Sequence, residues 1–400
     1  MRFTKYNSMT DILKYPRMRE YLKVFYSEYL FDMYPKDLYD LPIAREEQVA
    51  KTPWGEPFSI VADQLMDAVN LVLDLKENRT RRAIALWEYD EENGTYGEWT
   101  LEKNARGGKE RVCLITPDME QLEKEKNIFG DRKCPAVIIC PGGGYEEVCF
   151  SGEGTPVMYF MEANGYGAFM LKYRVGKDGV YPAPQEDLAR AIRYVRAHAE
   201  EYQIDPENVM VLGGSAGGHL CASEAALYGR TGYDNLCLVS SKEVAAEKES
   251  KESGEEKTLT GQIYKDQAGE LEGISAKPDK VALCYPVISL EKEIHEGSAK
   301  ALTGGEKDET ELLRHKLSVE HLVTAEYPPT FVWTCADDDC VPPSNAVRMG
   351  EALEKAGVPH ELYVYPTGGH GCALAYSKSA YDWSRVMLEF FQGVDMKEAD

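Results

Sequence analysis

From about residue 80 onward the chain alternates short, unbroken apolar runs with stretches of helical periodicity, and this alternation restricts the fold more than any other feature. The runs are AIALWEY (83–89), RVCLIT (111–116), AVIIC (136–140), GAFMLKY (167–173), VMVL (209–212), VALCYPV (281–287), TFVWTC (330–335) and ELYVYP (361–366). A strand that is apolar at every position, instead of every second one, is buried on both faces, as in a parallel sheet covered by helices. The gaps supply those helices. In DLARAIRYVRAHAEEY, Leu188, Ala191, Ile192, Val195 and Ala199 form one apolar stripe, and Asp205-Pro206 turns the chain into the next run. SNAVRMGEALEKAG and AYDWSRVMLEFFQG read the same way. Repetition of strand, helix, strand predicts a doubly wound α/β fold, mostly parallel, with ligands outside the carboxyl ends of the strands.

Residues 1–79 have a different texture. Met18, Leu22, Phe25 and Tyr29, and then Val61, Leu65, Ala68 and Val72, recur at helical spacing on either side of a proline-punctuated stretch. A small helical N-terminal segment is expected, covering the first strands of the main domain at 80–400; a cap over a pocket, or an arm that makes a homo-oligomer, is the alternative. Residues 240–258, SSKEVAAEKESKESGEEKT, carry almost no large apolar side chain and read as a charged surface insertion without chemistry. The polar helical region around 291–327 is expected to wall or roof a pocket.

With 45 basic and 68 acidic residues the net charge is −23, which repels phosphate backbones and anionic bilayers and so excludes nucleic-acid and membrane-surface binding as expectations. No run approaches the roughly 18 apolar residues of a membrane helix. The first residues show no apolar signal core, so a cytoplasmic location is expected. Ten scattered cysteines without a C-x-x-C pair read as buried free thiols, and no metal site is expected.

The run VMVL ends in Gly213-Gly214-Ser215-Ala216-Gly217, and HLCASEAALY follows with helical character. This is G-x-S-x-G between a strand and a helix, the context of a nucleophile elbow: the serine takes a strained backbone conformation and the flanking glycines let the helix pass close to the strand. The helix start also aims unpaired N–H groups at the serine. No lysine follows to make a phosphate-binding loop, and no G-x-G-x-x-G is complete.

A serine hydroxyl needs a base and an orienting acid, here in the chain order Ser, Asp or Glu, His. ADDDCVPPSNA follows the strand TFVWTC, and TGGHGCALAY follows ELYVYP, so an acid and His370 emerge at carboxyl strand ends. Histidine changes charge between about pH 5 and 8, which suits taking and returning a proton. His198, His219, His295, His315, His321 and His360 read as structural. Among Asp337, Asp338 and Asp339 the residues themselves do not choose; two of them cap the next helix or face water. Pro141-Gly142-Gly143-Gly144-Tyr145, after AVIIC, sits where a glycine loop offers the second N–H of an oxyanion hole, beside that of Ala216. Tyr145 is a candidate substrate contact.

PGGGY, YPAPQEDLARAIRYVRAHA, GGSAGGHLCA, the aspartates before VPPSNA, and GGHG together resemble the α/β-hydrolase superfamily, and within it the acetyl-xylan and feruloyl esterase group and the prolyl-oligopeptidase-like hydrolases. The likeness spans about residues 100–395. It implies the triad acid four residues before Pro342, which is Asp338, with Ser215 as nucleophile, His370 as base, and the amides of Gly143, Gly144 and Ala216 as oxyanion hole. Pro141 stands where lipase-like esterases carry the histidine of H-G-G-G, which points away from lipases. The expected function is hydrolysis of a small acyl ester, acetyl or similar, on an alcohol such as an oligosaccharide, without cofactor or metal. A prolyl-oligopeptidase-like peptidase and a non-catalytic binding protein on the same fold are the alternatives.

Overall fold

The computed structural model of the chain describes residues 2–27, 31–32, 34–43, 48–51, 57–59, 62–129, 133–227 and 269–398. The charged insertion expected at 240–258, Tyr29, Val61 and Cys237 lie outside these residues. Among the described residues eleven strands run in chain order: β1 (Gln48–Lys51), β2 (Pro57–Ser59), β3 (Ala83–Asp90), β4 (Thr95–Glu98), β5 (Cys113–Ile115), β6 (Cys134–Cys140), β7 (Gly167–Lys172), β8 (Ile204–Gly214), β9 (Lys280–Cys284), β10 (Thr330–Cys335) and β11 (His360–Tyr365). The longer helices are α1 (Ala62–Leu73), α2 (Met119–Phe129), α3 (Thr155–Ala163), α4 (Ala183–Ala197), α5 (Ser215–Leu227), α6 (Glu296–Thr303), α7 (Lys307–Leu317), α8 (Ser344–Ala356) and α9 (Trp383–Glu398).

Nine strands form one sheet in the order β11-β10-β9-β8-β6-β7-β5-β3-β4. From β7 to β11 every pairing is parallel, whereas β5, β3 and β4 join antiparallel at one end. All eight apolar runs are strands. The short β4 and the hairpin β1-β2 are not apparent from apolar runs, because TYGE, QVAK and PFS are not continuous apolar stretches.

The two faces follow from the two-residue period of a strand. Ala136, Ile138 and Cys140 of β6 enter one core with Leu188, Ile192 and Val195 of α4 and Leu220 of α5. Val137 and Ile139 point the other way, into a core with α1, α3 and α9. All five β6 side chains are fully buried, at roughly 1.5–3 kcal/mol for each of the larger aliphatic ones.

The N-terminal residues contribute to that second core. Met18, Leu22, Phe25, Leu65, Ala68 and Val72 are buried in it, and Phe25 meets Phe150 edge-on at 5.3 Å and Trp99 at 5.7 Å. The stretch YPAPQED anchors α4 through Asp187, whose carboxylate accepts from Trp87 Nε1 on β3 (2.8 Å), Arg174 N (2.8 Å) and Arg174 Nε (3.0 Å). Burial pushes the Asp187 carboxyl up, and the Arg174 guanidinium opposes that shift. No helix of the described residues is long and apolar enough to cross a membrane. Of the cysteines described, Cys113, Cys140, Cys221, Cys284 and Cys335 are buried free thiols, while Cys340 is exposed.

Candidate active site

Ser215 directly follows β8, begins α5, and holds φ at 53°. That left-handed conformation costs a residue with a Cβ about 1–3 kcal/mol and survives only where the surroundings enforce it. Here they do. A Cβ at position 213 would overlap the Gly217 carbonyl, and one at 217 would overlap the Cys140 carbonyl of β6. The Ser215 carbonyl accepts from Val287 N (3.0 Å), which fixes the turn from the other side.

The loops after β8, β10 and β11 bring three side chains together. Ser215 Oγ lies 2.8 Å from His370 Nε2, and His370 Nδ1 lies 2.7 Å from Asp338 Oδ2. The second Asp338 oxygen, Oδ1, accepts from Cys340 N (3.0 Å) and Val341 N (2.9 Å), so the carboxylate is held at both ends. It is buried, whereas Asp337 and Asp339 are exposed. Asp337 neither caps a helix nor merely faces water: its Oδ1 accepts from Gly368 N and Gly369 N, both at 2.9 Å, and so shapes the loop that presents His370.

The glycine loop after β6 lies against the serine, since a Cβ at Gly142 would sit 2.8 Å from Ser215 Cβ. Gly143 and Gly144 take φ of 127° and 66°, and a Cβ at 143 would overlap the Glu147 carbonyl. Gly142 N is already spent on Glu153 Oε2 (2.6 Å), so the amides open to a ligand from this loop come after it. Tyr145 needs correction as a substrate contact. It is wholly buried, with its hydroxyl donating to His219 Nδ1 at 2.9 Å while His219 Nε2 donates to the Leu317 carbonyl at 2.9 Å. The positive φ of Tyr145, 61°, turns its ring inward beneath the loop. Burial depresses His219 to about 4, so it stays neutral at working pH.

Two groups escaped the sequence reading. Glu153 fills the space that glycines at 142 and 214 leave open. Besides Gly142 N, it receives a hydrogen bond from the Tyr285 hydroxyl, which in turn accepts from Ala373 N (3.0 Å) on the histidine loop. The Tyr285 ring packs edge-on against His370 at 5.0 Å. Burial raises the Glu153 carboxyl, against the pull of His370, Gly142 N–H and Tyr285. Its signal in the sequence is faint: one carboxylate in the otherwise uncharged stretch VCFSGEGTPVMYF. His295, expected to be structural, stands beside the glycine loop, its Cε1 3.8 Å from where a Cβ on Gly144 would lie. Its Nδ1 accepts from Ser298 N (3.2 Å) at the start of α6, which leaves the proton on Nε2. Burial foremost, then the nearby His370, lowers its pKa, with Asp338 opposing.

A serine on a strained strand-to-helix turn, hydrogen-bonded to a histidine and through it to a buried aspartate at the carboxyl edge of this sheet, defines an α/β-hydrolase. The BD-FAE family model matches residues 126–353, more than half of the chain. The chain belongs to the BD-FAE family. Among curated proteins, endo-1,4-beta-xylanase B of Butyrivibrio fibrisolvens is 31% identical over 257 residues, 64% of this chain and 35% of that protein. Acetylxylan esterase of Xylanibacter ruminicola is 26% identical over 239 residues, 59% of this chain and 40% of that protein. The chain thus spans well under half the length of these curated relatives. Among solved structures, the acetyl ester-xyloside bifunctional hydrolase of Caldicellulosiruptor lactoaceticus superposes with a TM-score of 0.57 at 30% identity, covering 78% of this chain and 96% of that one. By fold and site geometry, the chain is an α/β-hydrolase of this family.

Proposed function

We propose that the protein removes acetyl or similarly small acyl groups from hydroxyls of a carbohydrate, by way of an acyl-enzyme on Ser215. The observation that carries this reading is the unbroken hydrogen-bonded line from Ser215 Oγ through the His370 imidazole to Asp338 Oδ2.

Ser215 Oγ attacks the ester carbonyl as His370 Nε2 takes its proton. Asp338, anchored on Oδ1 by two backbone N–H groups, keeps the His370 proton on Nδ1 and stabilises the imidazolium that forms. The amides of Gly143, Gly144 and Ala216 donate hydrogen bonds to the developing oxyanion, each such donor being typically worth about 10²–10³ in rate. The imidazolium then protonates the departing alcohol, and water reverses the sequence to release the acid. Electrons and protons balance without a cofactor. The carbohydrate leaving group is supported by relatives named as an acetylxylan esterase and an acetyl ester-xyloside hydrolase.

The test is the acyl and leaving-group profile of the purified protein. p-Nitrophenyl acetate and acetylated xylo-oligosaccharides are expected to be cleaved faster than octanoyl esters, aminoacyl-proline amides are expected to be inert, and Ser215→Ala is expected to lose at least about 10³-fold in kcat. Cleavage of the amides in preference to the esters overturns the reading, as does a Ser215→Ala variant with unchanged activity.

A further inference from the structure

Away from the triad, one carboxylate is clasped by two imidazoles. Glu291 follows β9; His315 lies in the last turn of α7; His321 ends the short 3₁₀ turn Val319–His321. Glu291 Oε2 is 2.8 Å from His315 Nδ1, and Glu291 Oε1 is 2.8 Å from His321 Nε2. The two rings stand 4.6 Å apart, tilted by 40°. One nitrogen or oxygen from each residue lies within 4.8 Å of the others. Only seven histidines occur in the whole chain, and two of them converge on this carboxylate.

We propose that Glu291, His315 and His321 form a binding site for one divalent transition-metal ion of the zinc class. Ligand bonds of about 2.0–2.2 Å place tetrahedral donors roughly 3.4 Å apart. The carboxylate-to-imidazole spacings need open by only about half an ångström to reach that, which side-chain rotation supplies. A buried frame holds the three positions close together. Leu290 N donates to Ser318 Oγ (2.9 Å), Ser318 Oγ donates to the Arg314 carbonyl (2.9 Å), and Val319 N donates to the Ile288 carbonyl (3.0 Å). Leu290, Ser318 and Val319 are fully buried. The ligands themselves reach solvent, with side-chain exposures of 56% for His315, 35% for His321 and 23% for Glu291, so the ion exchanges freely and water completes its coordination.

Two imidazoles and one carboxylate select zinc, cobalt or nickel over magnesium and calcium, which prefer all-oxygen shells. Each neutral imidazole binds through the nitrogen now facing Glu291 and carries its proton on the other ring nitrogen. Lys292 Nζ, 4.0 Å from Glu291 Oε1 and largely exposed, is the competing cation and must swing aside. The bound ion fastens the segment after β9 to the end of α7. That segment leads within four residues to His295, which borders the Gly144 loop. The ion is therefore a clasp on the wall of the active site and takes no part in the chemistry on Ser215.

Chelator-treated full-length protein, titrated with Zn²⁺ by calorimetry and with Co²⁺ by visible absorption, tests the site. One ion per chain, a visible Co²⁺ spectrum of low coordination number, and a melting temperature raised by several degrees with excess Zn²⁺ are expected. The His315→Ala/His321→Ala double variant, and Glu291→Gln separately, should each lose about 10–100-fold in affinity or more, and the double variant should lose the thermal shift. Because Glu291→Gln keeps the shape of the side chain, it remains informative if the double variant folds poorly. A wild-type Kd weaker than about 1 mM, or variants that bind as the wild type does, overturns the proposal. Ester hydrolysis plays no part in these readouts, so they stand or fall independently of the activity assays.

Discussion

Asp338 differs from the acids on either side of it in being buried and in what its oxygens touch. One oxygen accepts the imidazole Nδ1–H and the other is pinned by two amides, so Asp338→Asn, which cannot hold the same tautomer, is expected to lower kcat by about 10³–10⁴-fold. Asp337→Asn keeps a carbonyl oxygen for the two glycine amides and should cost no more than about tenfold, and exposed Asp339→Asn should stay within about twofold. A p-nitrophenyl acetate series across the three variants checks the ranking; an equal loss at 337 and 338 would remove the distinction. Glu153 acts through others, joining the glycine loop to the histidine loop by way of Gly142 N, Tyr285 and Ala373 N. Glu153→Gln replaces one acceptor oxygen of this carboxyl with a donating NH₂. We expect kcat to fall about 10–100-fold with KM nearly unchanged, as befits misplacement of catalytic groups. A change confined to KM would assign Glu153 to substrate binding.

At the scale of elements, the helix α1 shows how covering a sheet face creates a local cost. Leu65, Ala68, Val69 and Val72 are buried, and Asp67 is carried partly into the same core. Burial raises Asp67 to about 6, with the nearby Asp63 adding to the shift. A carboxyl whose folded pKa exceeds its unfolded value of about 3.9 binds protons preferentially in the folded state. Its stabilising contribution is therefore complete below about pH 4 and is lost as the pH rises through about 6. Asp67→Asn is expected to raise the stability at pH 8 by about 1 kcal/mol after allowance for solvent screening, and to leave it unchanged near pH 4. Urea melts at the two pH values test this, and a gain that is equal at both would mean that packing, and not ionisation, was altered. The wall formed by α6 and α7 shows the opposite economy, with Ser298, Thr303 and Ser318 each hydrogen-bonded while fully buried.

Over the whole molecule these groups set the pH range of stability from both sides. Glu153 and Asp67, raised by burial, contribute stability that fades as the pH climbs through their folded values. His219, held at about 4 between Tyr145 and the Leu317 carbonyl, contributes stability that is present above about pH 6.5 and is lost as the pH falls through about 4. Melting temperatures measured from pH 4 to 9 should accordingly pass through a maximum, and in His219→Gln the acid side should become shallower; an unaltered acid limb would exclude His219 as its cause. The sequence by itself located the eight apolar strands of the sheet, the turn at Ser215 and the loop that carries His370, because continuous apolar runs and glycine-bounded turns are local signals whose physics is complete within a few residues. It also determined Ser215 and Gly217 as a pair, since the strained turn and the close helix lie on one stretch of chain. Only the tertiary structure decided that Tyr145 faces inward, that Asp337 braces a loop, that Glu153 and His295 border the site, and that Glu291 meets two histidines. Those outcomes depend on which groups, from 11 to over 100 residues apart, share a few ångströms of space, and no local pattern encodes a distance between loops that only the packed sheet brings together.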